Sequence, residues 1–128
     1  MESLYINNYP DLVYYPVVNF NYYSGVCEIS GESYMEETYR FYEPLIKWLN
    51  DYVKEKKPIE FNVKLTYFNT SSSRFLLEMF DILKKYQNEG GQVQVNWYYR
   101  SDDPDMLTEI NSFEAESGLK ITPFIYDK

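Results

Sequence analysis

Apolar and polar positions alternate most clearly from Ile59 to Phe68. Ile59, Phe61, Val63, Leu65 and Tyr67 fall on one side, and Glu60, Asn62, Lys64, Thr66 and Phe68 on the other. A period of two predicts a strand with one face on a core. A strand buried on both faces would be apolar throughout, so the wetter second set predicts helices mainly on one face of the sheet. From Phe75 to Tyr86 the period becomes helical, with Leu76, Met79, Phe80 and Leu83 inward and Phe75 beside them. Arg74, Glu78, Asp81, Lys84 and Lys85 take the polar side, and Gly90-Gly91 ends the helix.

The rest of the chain follows the same two periods. Leu4-Tyr5-Ile6 predicts a short edge strand. Pro16 to Asn21 and Val26 to Ser30 predict a hairpin turning through Tyr22-Tyr23-Ser24-Gly25, with Cys27 and Ile29 in the core. After Gly31-Glu32, Ser33 and Glu36 fit a capping box, in which each side chain satisfies a backbone N–H at the start of a helix. That helix is predicted over residues 36–56, with Tyr42, Leu45, Ile46, Leu49 and Val53 on its buried stripe. Trp48 and Tyr52 lie beside the stripe as partly exposed residues, and Pro58 stops the run. Val93, Val95, Trp97 and Tyr99 alternate as a further strand. Asp102 or Asp103 caps a third helix that has Pro104 in its first turn and Met106 or Leu107, Ile110 and Phe113 inward. Gly118 ends it, and Ile121 to Ile125 is a last strand that Pro123 makes an edge or irregular one. Three strand–helix–strand crossovers after a hairpin predict an α/β fold with a mixed, mostly parallel sheet. Nothing reads as a linker or a repeat, so residues 1–128 are expected to form one domain.

Composition removes several function classes. With 12 basic and 20 acidic residues the net charge is −8, and the pI is about 4.5. Neither a nucleic acid nor an anionic membrane is the expected partner. Histidine is absent and Cys27 is the single cysteine, which removes the usual general base, the commonest metal ligand and any thiolate cluster. Neither a glycine-rich phosphate loop nor a calcium-loop spacing occurs, so no cofactor, no metal and no enzymatic activity is expected. Met1-Glu2-Ser3-Leu4 is unlike a secretory signal, and the chain reads as cytoplasmic. Tyrosine is frequent, at 15 residues. Six of them lie in the first 23 residues, which suits either a protein-binding surface or a drift in composition.

The remaining candidate is the run Asn69-Thr70-Ser71-Ser72-Ser73-Arg74, between the central strand and its helix. A helix N-terminus has free backbone N–H groups and the positive end of the dipole. Asn69, Thr70 or Ser71 serves there as an N-cap. A phosphate on Thr70 would meet the same N–H groups, with Arg74 one turn away to pair with it. The residues alone leave both readings open.

The segment Pro58-Ile59-Glu60-Phe61-Asn62-Val63-Lys64-Leu65-Thr66-Tyr67-Phe68-Asn69-Thr70-Ser71-Ser72 resembles the signature of the SiaC-type regulatory phosphoproteins. That family was formerly a domain of unknown function, and its fold is similar to STAS domains, the anti-sigma-factor antagonists. The resemblance extends to Gly31-Glu32-Ser33-Tyr34, Trp48, Asp81-Ile82-Leu83, Gly90-Gly91 and Asn96-Trp97-Tyr98-Tyr99. The chain departs from the family pattern at Met35-Glu36-Glu37, where Pro-Glu-Asn is common. The resemblance implies a single STAS-like domain with Thr70 as phosphoacceptor; Asn69, Ser71, Ser72 and Arg74 are then the expected environment of that site and its partner-binding surface. It also implies three bacterial partners. These are a GHKL-type serine/threonine kinase, a PP2C-type phosphatase, and an effector bound by the unphosphorylated form, a diguanylate cyclase in the best-known branch. The competing expectation is a constitutive binding module with a Tyr-rich interface and no switch.

Overall fold

A computed structural model describes residues 1–7 and 15–126. Tyr9 and Tyr14, two of the six early tyrosines, lie outside the described residues. Six strands form one sheet in sequential order: β1 (Leu4–Ile6), β2 (Val17–Phe20), β3 (Val26–Ser33), β4 (Ile59–Phe68), β5 (Val93–Tyr99) and β6 (Ile121–Ile125). The first three are antiparallel neighbours, and β3 to β6 run parallel. Each parallel step carries one helix: α1 (Thr38–Val53), α2 (Thr70–Asn88) and α3 (Pro104–Ser117). Crossovers of one hand that all step the same way along a sheet place their helices on the same face.

That face is the core. Phe20, Phe61 and Trp97 rise from β2, β4 and β5 to meet Trp48 of α1, Phe80 of α2 and Phe113 of α3. Phe80 meets Phe61 edge to face and Phe113 at 74°, geometries that suit the ring quadrupoles. The opposite face has no helix among the described residues. It carries a polar ladder in which Gln94 donates to Asn96 and Asn96 to Asn62, beside a Lys64–Glu28 ion pair. Cys27 is fully buried, and burial pushes its thiol far above the ordinary range. No helix of the described residues is long and apolar enough to cross a membrane.

Four expectations are corrected. The Ser33–Glu36 capping box does not form: β3 continues through Ser33, α1 begins at Thr38, and its N-cap Glu37 makes no side-chain cap. Ser33 is fully buried and spends its hydroxyl on Tyr42 and Ser72 instead. The buried side of α1 is Phe41, Tyr42, Leu45, Trp48, Leu49 and Tyr52, so Trp48 and Tyr52 belong to the core, whereas Ile46 and Val53 are half-buried. The N-terminal strands explain this rotation, because Trp48 Nε1 donates to the Glu2 carbonyl at 2.8 Å and its ring packs on Phe20. Helix α1 also ends three residues early, at Val53, although it passes through Pro44.

The fourth correction bears on function. Gly31 pairs with Leu65 but Glu32 pairs with Tyr67, so Thr66 is an extra residue in β4. A one-residue bulge reverses the facing of all that follows. Phe68 therefore turns inward onto Trp97 and Phe113, and Tyr67 turns outward.

Candidate functional site

The hydroxyl run sits at the carboxyl ends of the parallel strands, where open α/β sheets generally present their functional loops. Asn69 is the N-cap of α2. Its backbone is extended (φ −89°, ψ 176°), and its Oδ1 accepts from the Ser72 N–H at 2.8 Å. A short polar side chain is needed here because the first amides of a helix have no intrahelical acceptor. Asn69 N also donates to the Ser33 carbonyl at 2.9 Å, and its Nδ2 to the Met35 carbonyl at 3.4 Å. The cap thus ties α2 to the end of β3.

The other hydroxyls of the run have different fates. Ser72 is fully buried, and its Oγ donates to the Ser33 carbonyl at 3.0 Å while accepting from Ser33 Oγ at 2.7 Å. Ser73 turns back to donate to the Thr70 carbonyl at 2.7 Å. Thr70, the first residue of α2, and Ser71 are both exposed, and neither side chain forms a hydrogen bond within the described residues. Arg74 is exposed too, four residues beyond Thr70 and without an ion pair among the described residues. Residues four apart on a helix are surface neighbours. The expected environment therefore divides: Thr70, Ser71 and Arg74 face solvent, Asn69 is a cap, and Ser72 lies where no partner can touch it.

Around this turn the surface is aromatic and acidic. Tyr34, Tyr39 and Tyr67 are 45%, 63% and 47% exposed; the alternation of the sequence puts Tyr67 on the buried face and assigns no face to Tyr34 or Tyr39. Tyr34 and Tyr67 meet edge to face, and Tyr39 lies 6.3 Å from Phe75, which stacks on Tyr42. Glu32, Glu36 and Glu37 are exposed at the same end, with Arg40 paired to Glu37 at 3.1 Å. Among the described residues, the early tyrosines form no comparable face. Tyr15 packs near Phe41, and Tyr22 is held by Glu55 and covered by Lys57, whereas Tyr5 and Tyr23 are exposed. No group of three or more metal-ligating side chains occurs among the described residues.

Comparison with known proteins agrees with this architecture. A family model described as "SiaC family regulatory phosphoprotein" matches residues 10–125. An uncharacterized protein of Pseudomonas aeruginosa strain UCBPP-PA14 is 27% identical over 85 residues, which is 66% of this chain and 68% of that protein. The crystal structure of apo-SiaC from Pseudomonas aeruginosa superposes with a TM-score of 0.86 at 24% identity, covering 97% of this chain and 99% of that one. A second structure holds the diguanylate cyclase SiaD of that organism in complex with its activator SiaC. It matches with a TM-score of 0.87 at 21% identity over 96% of this chain and 99% of the other.

Proposed function

The chain belongs to the SiaC family of regulatory phosphoproteins, and from that premise we propose that it is a non-catalytic, cytoplasmic partner switch acting through Thr70. Unmodified, the surface around Thr70 docks an effector protein; phosphorylated, it releases it. A GHKL-type kinase adds the phosphate and a PP2C-type phosphatase removes it. The effector is a diguanylate cyclase, by analogy with the complex of Pseudomonas SiaC and SiaD. The observation that carries this reading is the exposed, unengaged hydroxyl of Thr70 at the first position of α2, beside an aromatic surface.

The physical logic is one of desolvation. Exposed tyrosines are favourable interface residues because they bury a large rigid area around a single polar tip. Tyr34, Tyr39 and Tyr67 offer such a patch beside Thr70. A phosphate adds about −1.5 to −2 charges to an end of the sheet that already carries Glu32, Glu36 and Glu37. Closing a dry interface over that dianion costs more than the tyrosines contribute unless the partner supplies cations.

The test is co-expression with the GHKL-type kinases of its own genome, followed by intact-mass measurement. One added phosphate on the wild type and none on Thr70→Ala is expected. Wild type without phosphate, or Thr70→Ala phosphorylated to the same extent, refutes the acceptor assignment. Pull-down of the genome's own diguanylate cyclases should then succeed with Thr70→Ala and fail with Thr70→Glu. Equal capture by both would leave a constitutive binding module.

A further inference from the structure

Beneath the exposed Thr70 runs a buried chain of three hydroxyls joining three elements of the fold. Tyr42 of α1, Ser33 of β3 and Ser72 of α2 are all fully buried. Ser33 Oγ lies 2.6 Å from Tyr42 Oη and 2.7 Å from Ser72 Oγ, and Ser72 Oγ lies 3.0 Å from the Ser33 carbonyl. Each hydroxyl has one proton, which fixes the direction of the chain. Ser72 donates to the carbonyl, so Ser33 donates to Ser72, and Tyr42 donates to Ser33. Tyr42 must keep its proton for this order to hold, and burial pushes its phenol well above the ordinary value of 10.0.

From this geometry we infer that Ser72, oriented by Ser33 and Tyr42, is a positioning residue that decides which hydroxyl of the run is offered for phosphorylation. The Ser33 carbonyl accepts both the Asn69 N–H and the Ser72 hydroxyl. Asn69 Oδ1 in turn accepts the Ser72 N–H. Two anchors, Asn69 and Ser72, are thereby fixed to one point at the end of β3, and the only residues between them are Thr70 and Ser71. The two-residue span is pinned at both ends, so each of its hydroxyls has a defined direction relative to the sheet. Solvent exposure alone does not separate them, since both are exposed. The anchors supply the distinction, because they hold Thr70 at the first helical position and Ser71 one step around the turn. Tyr42 adds a brace: its ring stacks on Phe75 at 5.4 Å and 6°, so α1 grips α2 one turn beyond the acceptor. This inference rests on Thr70 being the phosphoacceptor.

Ser72→Ala and Tyr42→Phe remove successive links, and Leu83→Ala, a fully buried core position on the same helix, serves as a control for lost stability. Each is co-expressed with the GHKL-type kinases of its genome, and fragment-ion mapping gives the ratio of phosphate on Ser71 to phosphate on Thr70. Loss of the Ser72 hydrogen bonds should raise that ratio about tenfold, and loss of the Tyr42 donor about threefold. Leu83→Ala should leave the ratio unchanged while lowering the melting temperature. Amide exchange at Ser72 and Ser73 should quicken in Ser72→Ala by roughly the same factor as the ratio. Should Ser72→Ala fail to fold, Tyr42→Phe carries the test. An unchanged ratio and unchanged exchange would overturn the positioning role while leaving Thr70 as acceptor. A wild type bearing no phosphate on Thr70 would instead overturn the reading beneath it, and this inference with it.

Discussion

Tyr34 and Tyr67 meet edge to face, ring centroids 5.2 Å apart and planes at 89°, on the outward side of the sheet just before Thr70. They meet because Thr66 is an extra residue in β4, which turns Tyr67 out and sends Phe68 into the core. Substitution reads this directly. Tyr67→Ala should change unfolding free energy by no more than about 0.5 kcal/mol, whereas Phe68→Ala, which strips contacts to Trp97 and Phe113, should cost about 2–4 kcal/mol. Urea titrations of the two variants check this. The reverse order would mean that the strand alternates without a bulge.

The strands and helices, and their succession along the chain, are largely legible, because periods of two and 3.6 are local properties of a chain. Ile59 to Phe68 is one strand in both readings, and Asn69 was among the residues able to cap α2. What escaped depended on distant partners. No pattern within β4 reveals that Thr66 will be skipped by β3, so Tyr67 reads as buried when it is exposed. Ser33 and Glu36 have capping-box spacing, but Ser72, 39 residues from Ser33, claims the serine. Trp48 reads as a flank of α1 until the Glu2 carbonyl and Phe20 arrive to cover it. At the site, the run was visible as a run, yet its division into a cap, a buried anchor and two free hydroxyls needed the third dimension.

Two of the three helix starts where caps were expected make contrasting predictions. Asn69→Ala removes the acceptor for the Ser72 N–H and should destabilise by about 1 kcal/mol. Asn69→Asp keeps an oxygen at the same place, beside the positive end of α2, and should recover part of that loss, the donor to the Met35 carbonyl being gone. Glu36→Ala should be neutral within about 0.5 kcal/mol, since α1 starts at Thr38 without a side-chain cap. Denaturation midpoints of the three variants measure this. A Glu36→Ala cost as large as that of Asn69→Ala would restore the capping box.

Alkaline pH should unfold the protein by a route that runs through its buried phenols and thiol. Burial raises Tyr42 and Tyr86 above the ordinary phenol value of 10.0, and Cys27 above the ordinary thiol value of 9.0. Tyr52 moves the same way, again chiefly through burial. In each case the neutral form is favoured in the folded state, so the unfolded chain releases protons first. Stability is then fully present below about pH 9 and falls as pH climbs through 9 and 10 toward the higher folded values. Chemical denaturation at pH 8.0, 9.5 and 10.5 should show a progressive decline, shallower in Tyr42→Phe than in the wild type. A wild-type stability that is flat across this range would contradict these burial effects.

Arg74 should hold the phosphate once it is on Thr70. The guanidinium is exposed, has no ion-pair partner among the described residues, and stands one helical turn from the acceptor. Beside that cation and the N-terminal amides of α2, the dianion is favoured over the monoanion. The second ionisation of the phosphate should therefore fall below its usual value of about 6, and return toward it in Arg74→Ala. Because the folded value is depressed, the stabilisation is present above the unfolded value and is lost as pH drops through the folded one. At pH 7.5 phosphorylation should thus stabilise the wild type by about 0.3–1 kcal/mol, and Arg74→Ala by less. Phosphorus NMR titration of the two phosphoproteins gives the ionisation, and paired melting curves give the stability. Identical titrations would show that Arg74 does not touch the phosphate and leave the helix amides as its sole support.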